Sequence, residues 1–291
     1  QQPPTSFSAK SAARTFSASS SAGGSKSDVV IVGGGIMGLN IAYQLRRRAP
    51  DVSVTVLEQA PSIGNGSSGY STGFQRAFYS KDETMKFALE GMAAYREWND
   101  YLGDGAANAR FTETGALWML GHTTDAAVAM TERLAKFGVA AEVLDEVGMA
   151  RKFPLINTEP FPHFDENGDE VEQSLGALAA VYEHGCGHVD PTSTLEDLLR
   201  ACRRDGVDIR FKQRVSRFVT APTSGRVAGV EMADGSILEA GAVVNAAGPW
   251  FNKLNDTVRL KLSTEALPTR IQVGHKWIPD EYCSLPFVAD G

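Results

Sequence analysis

The pattern of hydrophobic and polar residues becomes regular at Asp28. Residues Asp28–Val32 form a short, mostly apolar run, as expected for a β-strand that is buried on both faces. Residues 35–48 then repeat apolar side chains at helical spacing, and Pro50 ends that helix. Val52–Leu57 is predicted to be a second, parallel strand. A strand, a helix and a strand within about thirty residues are typical of the crossover in a doubly wound parallel sheet.

The rest of the chain also alternates between helical and strand-like patterns. Helices are predicted at Lys81–Leu102, 124–137 and Pro191–Arg204, and strands at Phe111–Leu120, Val207–Val219, Arg226–Glu239 and Ala242–Ala246. Ala233-Asp234-Gly235 predicts a hairpin turn inside the third of these strands. This order predicts an α/β fold, with a doubly wound sheet and an interleaved α+β domain.

The alternation also predicts where the domains begin and end. Residues 28–104 and 186–258 are the two predicted parts of the nucleotide-binding domain, and residues 105–185 are a substrate-type domain between them. Residues 259–291 are predicted to begin strands that return to the substrate-type domain. Residues 1–27 contain nine serines and no acid, which matches an organelle targeting segment; a disordered tail is the alternative.

The charge is unevenly distributed along the chain. The formal net charge is -7, and residues 1–27 carry +3 from Lys10, Arg14 and Lys26, which leaves -10 on the remaining residues. Because nucleic-acid binding requires a cationic surface, this acidic body argues against it. No apolar run approaches the roughly 18 residues that a transmembrane helix needs, so no transmembrane segment is expected.

The cysteines predict free thiols. Cys186, Cys202 and Cys283 form no Cys-x-x-Cys pair, which suits a reducing compartment. His184, Cys186 and His188 alternate, and alternate residues of a strand share a face, so a metal site is an alternative for this stretch. No fourth ligand is evident and the stretch leads into a helix, so no metal is predicted.

A glycine-rich turn joins the first strand to the first helix. Gly33 permits a tight turn, Gly35 lets the main chain approach a pyrophosphate, and Gly38 allows the helix to pack closely on the strand. The N–H groups that open the helix, including those of Ile36 and Met37, point outward where an anion would bind.

Glu58 lies twenty residues after Gly38, at the end of the second strand. An acid at this place can accept hydrogen bonds from ribose hydroxyls, so the turn and Glu58 together predict a dinucleotide site. The motif by itself does not separate FAD from NAD. An NAD-dependent dehydrogenase is therefore an alternative, and Glu58 would then favour NAD over NADP.

Three later segments resemble a known family. Gly66–Gly73 (GSSGYSTG) resembles the loop after the ribose-binding acid in the D-amino-acid oxidase superfamily of FAD enzymes, and Asn245–Trp250 (NAAGPW) resembles its second nucleotide contact. Gly187–Pro191 (GHVDP) resembles its Gly-x-Val-Asp-Pro entry into a helix. In that entry Asp190 would cap the helix and Pro191 would be its first residue.

This resemblance implies FAD as the cofactor, together with further contacts. The implied contacts are the loop residues Ser67, Ser68, Ser71 and Thr72, the backbone of Val215 at the adenine, and the turn residues Ala247, Gly248 and Trp250. Residues 59–73 contain no histidine, which removes one covalent attachment known in the superfamily. The cysteine attachment of other members lies beyond the point matching Asp290. We therefore expect FAD to be non-covalent and the chain to be truncated or incomplete.

Two more segments resemble one mitochondrial branch of this superfamily. Arg151–Glu159 and Pro286–Asp290 look like the branch of FAD-dependent oxidoreductase-domain proteins that assist assembly of respiratory complex I. The resemblance implies a location in the mitochondrial matrix or on the matrix side of the inner membrane. It also implies complex I subunits as partners.

The candidate catalytic residues depend on this resemblance too. Oxidation of an amine by a flavin often needs a cation that holds the substrate carboxylate. Arg76 is the best candidate, since a similar loop of sarcosine oxidases delivers arginines near the flavin; pairing with a surface acid is the alternative. His275 and Lys276, on a late predicted strand, are weaker candidates.

Two hypotheses about function follow. In the first, the protein is an FAD-dependent oxidase or dehydrogenase of a small amine or amino-acid derivative. In the second, it is a flavoprotein of the same fold whose main role is in assembling or stabilising a mitochondrial complex. The branch resemblance favours the second.

Overall fold

The computed structural model describes residues 26–157, 163–164, 167–171, 179–263, 266–269, 274 and 276–290. Most of the predicted targeting segment and the candidate His275 lie outside the described residues. Lys26 and Ser27, placed in that segment by the sequence pattern, already belong to the first strand.

The described elements are numbered in chain order. The strands are β1 Lys26–Val32, β2 Val54–Leu57, β3 Phe74–Gln75, β4 Thr112–Glu113, β5 Ala116–His122, β6 Ala141–Asp145, β7 His163–Phe164, β8 Glu170–Val171, β9 Ala179–Glu183, β10 Gly187–His188, β11 Asp208–Arg210, β12 Val215–Thr220, β13 Val227–Met232, β14 Ile237–Asn245 and β15 Phe287–Asp290. The helices are α1 Ile36–Arg48, α2 Asp82–Arg96, α3 Trp98–Leu102, α4 Thr124–Ala135, α5 Glu146–Lys152, α6 Pro191–Arg204 and α7 Phe251–Asp256, with short 3-10 turns at Gly248–Trp250 and Asp280–Tyr282.

The chain divides into two compact units. The first unit comprises the described parts of Gln1–Ser62 and Cys202–Pro268, and the second unit those of Ile63–Ala201 and Thr269–Gly291. The sequence pattern assigns residues 63–104 and 186–201 to the nucleotide-binding domain, but both stretches belong to the second unit. Asp82 forms an ion pair with Arg133, and β10 pairs with β4, so both stretches are joined to the predicted substrate-type domain.

The first unit is built on one six-stranded sheet in the order β11-β2-β1-β14-β13-β12. Strands β11, β2, β1 and β14 are parallel, and β13 and β12 extend the sheet antiparallel. The middle of β1 is almost fully buried, as its apolar run predicts, and α1 follows it directly. The predicted α/β class with a strand–helix–strand unit is confirmed.

The prediction of a single strand at Val207–Val219 is wrong. This stretch forms β11 and β12, which lie at opposite edges of the sheet. Between them Lys212 adopts a positive φ of 58°, and its N–H donates to Ala60 O at 3.0 Å. The chain thus leaves the sheet beside β2 and crosses to the far edge, which a hydrophobic pattern does not reveal.

The predicted hairpin turn at residues 233–235 is confirmed between β13 and β14, with Gly235 at φ 84°. The prediction of a separate strand at Ala242–Ala246 is wrong, because β14 is continuous from Ile237 to Asn245. Its first part, Ile237–Glu239, pairs with β13, and residues Glu239–Asn245 pair parallel to β1. The pairing with β1 continues across residues 239–242, where the sequence pattern predicts a boundary between two strands.

The second unit contains a four-stranded sheet in the order β15-β5-β9-β6 and a three-stranded sheet in the order β3-β10-β4. The predicted helix Lys81–Leu102 is two helices, α2 and α3, which separate at Glu97 so that Trp98 is buried. The predicted strand Phe111–Leu120 is also divided, because Gly115 has a φ of 76° between β4 and β5.

Two further sequence expectations bear on the described residues. None of the described helices is long and apolar enough to cross a membrane. The three cysteines are free thiols, as predicted; Cys186 and Cys202 are buried and Cys283 is exposed.

Candidate dinucleotide site and arginine site

The carboxyl ends of three neighbouring strands meet at one edge of the sheet in the first unit. Val32, which ends β1, is the register partner of Leu57 on β2 and of Asn245 on β14. Two main-chain hydrogen bonds extend this pairing: Gly33 N donates to Leu57 O at 2.9 Å, and Ala246 N donates to Val32 O at 2.9 Å. The glycine turn after β1 and the turn after β14 therefore lie side by side.

Glycine is required directly after β1 and in the first turn of α1. Gly33 has a φ of 109°, and a Cβ on it would lie 2.4 Å from Ala246 O. A Cβ on Gly38 would lie 1.9 Å from Gly33 O. The first close contact joins the two turns, and the second lets α1 begin directly against the strand end.

The amino end of α1 lacks a side-chain cap among the described residues. Gly35 is the N-cap residue, with an extended backbone (φ -78°, ψ -175°), and the first turn contains no acid. Met37, in that turn, is 66% exposed. Because opening N–H groups need acceptors and the helix dipole favours negative charge there, this end of α1 fits a phosphate.

The carboxylate of Glu58 is held by main-chain donors on both oxygens. Gly34 N donates to Oε2 at 2.8 Å and Ala60 N donates to Oε1 at 2.8 Å. The Glu58 main chain is also held, since its N–H donates to Arg210 O and its C=O accepts from Gln213 N, both at 2.9 Å. The sequence predicted a role for Glu58 but not the residues that hydrogen-bond to it. Of these, only Gly34 could have been predicted, because it lies in the glycine run.

The turn after β14 is organised by Asn245. Its Nδ2 donates to Phe251 O at 3.0 Å and to Asn255 Oδ1 at 2.9 Å, and its Oδ1 accepts from Ala247 N at 3.3 Å. Gly248 has a φ of 56° and open space where a Cβ would be. Sequence reasoning gave Asn245 no role of its own; the signal was a lone amide at the end of an apolar strand.

Trp250 and Val215 differ in how far their side chains are exposed to solvent. Trp250 ends the 3-10 turn and is 43% exposed. Val215 opens the edge strand β12, opposite Met232, and packs partly buried against the sheet core. It lies only two residues after Gln213, whose N–H reaches Glu58, so the sheet crossing brings the start of β12 toward the end of β2.

The loop predicted to contact the flavin belongs to the second unit. Ser67, Ser71 and Thr72 are exposed in that unit, and Ser68 is partly buried. The loop folds on itself through a hydrogen bond from Gly69 N to Gly66 O at 3.1 Å.

The end of the loop is fixed near the start of α6. A Cβ on Gly73 would lie 1.9 Å from Val189 O, and Val189 N donates to Gly73 O at 3.1 Å. The predicted helix entry is confirmed: α6 begins at Pro191, and Asp190 Oδ1 accepts from Ser193 N at 2.6 Å.

Arg76 lies in the second unit between β3 and α2. Its guanidinium carbon is 4.5 Å from the centre of the Tyr79 ring and 5.1 Å from that of Trp118. Within the described part of the chain it forms no ion pair with a carboxylate, so the alternative of pairing with a surface acid is not observed. A cation seated on two aromatic faces keeps its hydrogen-bond donors for an anion.

The remaining candidates are less well placed. Lys276 is exposed and lies in no strand, which corrects the strand predicted there. His184 Nε2 is 3.1 Å from Glu142 Oε1, while Cys186 is buried and His188 is exposed. In the described ranges, no group of three or more His, Cys, Asp or Glu side chains could hold a metal ion.

The parallel strands, the glycine turn and the anchored Glu58 define a dinucleotide-binding α/β protein. The family model described as FAD dependent oxidoreductase (DAO) matches residues 28–277. The chain therefore belongs to the family of FAD-dependent oxidoreductases. The alternative of an NAD-dependent dehydrogenase is set aside for that reason.

Individual proteins are similar to the chain at low sequence identity. The chain is 27% identical over 255 residues to FAD-dependent oxidoreductase domain-containing protein 1 of Bos taurus, across 79% of this chain and 49% of that protein. It is 24% identical over 238 residues to mitochondrial dimethylglycine dehydrogenase of Rattus norvegicus, across 81% of this chain and 25% of that protein. The chain thus spans about half the length of the bovine relative.

A solved structure shares the fold. The L-proline dehydrogenase from P. horikoshii matches with a TM-score of 0.64 at 24% identity, across 82% of this chain and 57% of that one.

Proposed function

We propose that this chain holds FAD non-covalently and belongs to a mitochondrial flavoprotein of the amine-oxidising type that serves respiratory complex I or its assembly. The observation that carries the cofactor assignment is the meeting of the glycine turn, Glu58 and the turn after β14 at one sheet edge. Every group there suits a dinucleotide: an uncapped helix end, a fixed carboxylate and close main-chain turns.

The helix N–H groups and Glu58 have assigned parts in this proposal. The N–H groups at Gly35, Ile36 and Met37 face the pyrophosphate, and the Glu58 carboxylate accepts hydrogen bonds from ribose hydroxyls. The other contacts proposed for FAD are Gly33, Gly38, Ser67, Ser68, Ser71, Thr72, Val215, Ala247, Gly248 and Trp250. When bound, FAD supplies an acceptor for the two electrons and the hydrogen that leave the carbon next to an amine.

Arg76 is proposed to bind the carboxylate of an amino-acid-like substrate. The basis is its seat on Tyr79 and Trp118 with no carboxylate paired to it in the described residues. Arginine binds a carboxylate through two parallel N–H donors, which fixes the orientation of the acid as well as attracting it. Amines or imino acids that carry a carboxylate are the substrate class that this arrangement suits, and two of the relatives are named for such substrates.

The mitochondrial location and the link to complex I rest on similarity alone. The branch resemblance of Arg151–Glu159 and Pro286–Asp290 supports them, as does the mitochondrial relative of Rattus norvegicus. The second candidate function is an independent FAD-dependent oxidase or dehydrogenase of a small amine. Arg76 favours this second candidate, because no carboxylate of the described residues pairs with it and an assembly role alone does not require a cation that lies on two aromatic rings.

The cofactor proposal is tested by the absorbance spectrum of the purified chain and by acid precipitation. We expect an oxidised flavin spectrum and release of FAD into the acid supernatant. Flavin that stays in the pellet would contradict non-covalent binding. Absence of flavin after incubation with excess FAD would contradict the cofactor site itself.

The two functions are then separated by two measurements. Anaerobic addition of sarcosine, dimethylglycine, glycine or L-proline should bleach the flavin if the protein is an independent enzyme. Native electrophoresis of mitochondria should show the protein migrating with complex I or its precursors if it serves that complex. Bleaching without co-migration would reject the assembly role, and co-migration without bleaching would reject the independent enzyme.

A further inference from the structure

Glu183 is a buried carboxylate in the second unit that has no part in the proposal above. It is the last residue of the central strand β9, where it is the register partner of Ala116 on β5 and Ala141 on β6. Its side chain is 0% exposed. Burial of a charged group costs free energy unless hydrogen bonds or a counter-charge stabilise it. The groups that stabilise Glu183 therefore indicate its role.

The hydrogen bonds to Glu183 come from neutral donors. Its Oε1 accepts from Ala77 N at 2.7 Å and from Phe78 N at 3.1 Å, and its Oε2 accepts from Trp118 Nε1 at 2.9 Å. Burial, followed by the nearby charge of Glu183, raises the pKa of the Cys186 thiol, which therefore stays protonated beside it. Among the described side chains no lysine, arginine or histidine is within ion-pair distance of Glu183.

All three hydrogen bonds converge on the surroundings of Arg76. Ala77 and Phe78 are the next two residues of the chain, so Glu183 fixes the backbone that leaves Arg76. Trp118 carries the Arg76 guanidinium on its face, 5.1 Å from the ring centre, so Glu183 also fixes the ring beneath the cation. One carboxylate thus holds both the backbone next to Arg76 and one of the two rings against which its guanidinium lies.

We infer that Glu183 is a positioning residue that holds Arg76 in the orientation needed to bind an anionic group of the substrate. The inference rests on the proposed role of Arg76. Two N–H donors of a guanidinium must face a carboxylate in one plane, and small misplacement of such a group weakens binding strongly. A rigid seat is therefore useful where a mobile surface arginine would not suffice.

Asp197 provides a matched control within the same unit. It too is 0% exposed, and it accepts from the indole of Trp98 at 3.0 Å and from the main-chain N–H groups of Asn108 and Ala109. Unlike Glu183 it is also paired with a cation, Arg200, at 3.0 Å. Its donors do not surround Arg76, so its substitution perturbs a similar buried carboxylate without touching the arginine site.

The substitution Glu183→Gln separates the backbone link, which is the hydrogen bonds from Ala77 and Phe78, from the ring link, which is the hydrogen bond from Trp118. The amide oxygen of glutamine can still accept from Ala77 and Phe78, but its NH₂ group then faces the indole N–H of Trp118. Two donors cannot bond to each other, so the ring beneath Arg76 loses its fixed position while the backbone link survives. Trp118→Phe removes the same link from the other side and keeps an aromatic surface.

The experiment measures binding of benzoate, a simple carboxylate probe, to the whole FAD-reconstituted protein by calorimetry, with benzamide as the uncharged control. Wild type, Arg76→Gln, Glu183→Gln, Trp118→Phe and Asp197→Asn are compared. Circular dichroism establishes that each variant is folded, and amide hydrogen exchange at Ala77 and Phe78 reports the backbone link.

We expect Arg76→Gln to abolish benzoate binding, and Glu183→Gln and Trp118→Phe to weaken it about tenfold, as loss of an exact orientation implies. Asp197→Asn should change it less than about twofold, and benzamide should bind weakly to all variants. Exchange at Ala77 and Phe78 should stay slow in Glu183→Gln. If Glu183→Gln does not fold, Trp118→Phe decides the matter alone.

Two results would overturn the inference in distinguishable ways. Wild-type affinity in folded Glu183→Gln or Trp118→Phe, with binding lost in Arg76→Gln, would make Glu183 purely structural and leave the proposed role of Arg76 intact. Failure of wild type to bind benzoate, or undiminished binding by Arg76→Gln, would refute the role of Arg76 and the inference with it.

Discussion

Replacing Gly38 by alanine tests the geometry of the candidate dinucleotide site without any ligand. A Cβ on Gly38 would lie 1.9 Å from Gly33 O and 3.1 Å from the carbonyl carbon of Gly33. That carbonyl cannot easily move away, because the N–H of the same peptide group, that of Gly34, donates to Glu58 Oε2 at 2.8 Å and Gly33 N donates to Leu57 O at 2.9 Å. The helix would have to move away from the strand end.

The expected magnitude combines two opposing effects. Alanine in place of glycine inside a helix stabilises the protein by about 1 kcal/mol. Overpacking against a fixed main chain costs about 1–3 kcal/mol and occasionally more. Because the overlap is with backbone and exceeds 1 Å, we expect the cost to win by about 1–2 kcal/mol, which lowers the melting temperature by about 2–4 °C for each kcal/mol.

Gly91 supplies the matched control. It lies inside α2, and a Cβ on it would have nothing within 4 Å, so Gly91→Ala should stabilise its unit by about 0.5–1 kcal/mol. Urea unfolding followed by hydrogen exchange of peptides from each unit measures both variants. The same chemical change should therefore have opposite signs at the two sites. A Gly38→Ala protein at least as stable as wild type would refute the close contact of α1 with the turn.

Four further predictions concern the cofactor and the thiols. Gly35→Val should keep the fold, since its extended backbone is open to valine, but should weaken FAD binding at least about 100-fold by fluorescence titration; full flavin occupancy would refute the placement of the pyrophosphate. Glu58→Gln replaces one acceptor oxygen, the one that faces Gly34 or Ala60, with an NH₂ donor. We expect this change to lower the free energy of unfolding by about 1–3 kcal/mol and to weaken FAD binding about tenfold or more. Glu90→Gln, on the exposed face of α2, should change neither quantity. In native protein, Ellman's reagent should modify Cys283 rapidly and the other two cysteines only after unfolding. Burial raises the pKa of the Cys202 thiol to about 12. The buried neutral thiol therefore contributes its full stability below the unfolded pKa of about 8.5, and this contribution is lost as the pH rises toward 12. Equal urea midpoints at pH 7 and pH 10.5 would contradict this expectation.

Several local features could be predicted from the sequence because neighbouring residues cause them. The turn from β1 into α1 follows from a short apolar run ending in glycines, and the α6 entry follows from Asp190 and Pro191. The hairpin turn at residues 233–235 likewise depends only on adjacent residues. These features need no partner from elsewhere in the chain.

The break in the helix predicted from Lys81 to Leu102 needed such a partner. A helical pattern continues through Glu97, but the indole of Trp98 finds Asp197 about a hundred residues away, and the chain turns there. The division of residues 207–219 between opposite sheet edges has a similar origin, because its cause is hydrogen bonding to Glu58 and Ala60.

By itself, the sequence determined that a strand, a glycine turn, a helix and a second strand ending in Glu58 stand near the start of the chain. Only the tertiary structure decided that β14 lies beside β1, so that Ala246 contacts Gly33, and that Glu183 holds the surroundings of Arg76. The physical reason is that hydrophobic periodicity records whether a residue is buried but not which residue covers it. Strand order and buried hydrogen bonds between distant residues are chosen by the fold as a whole.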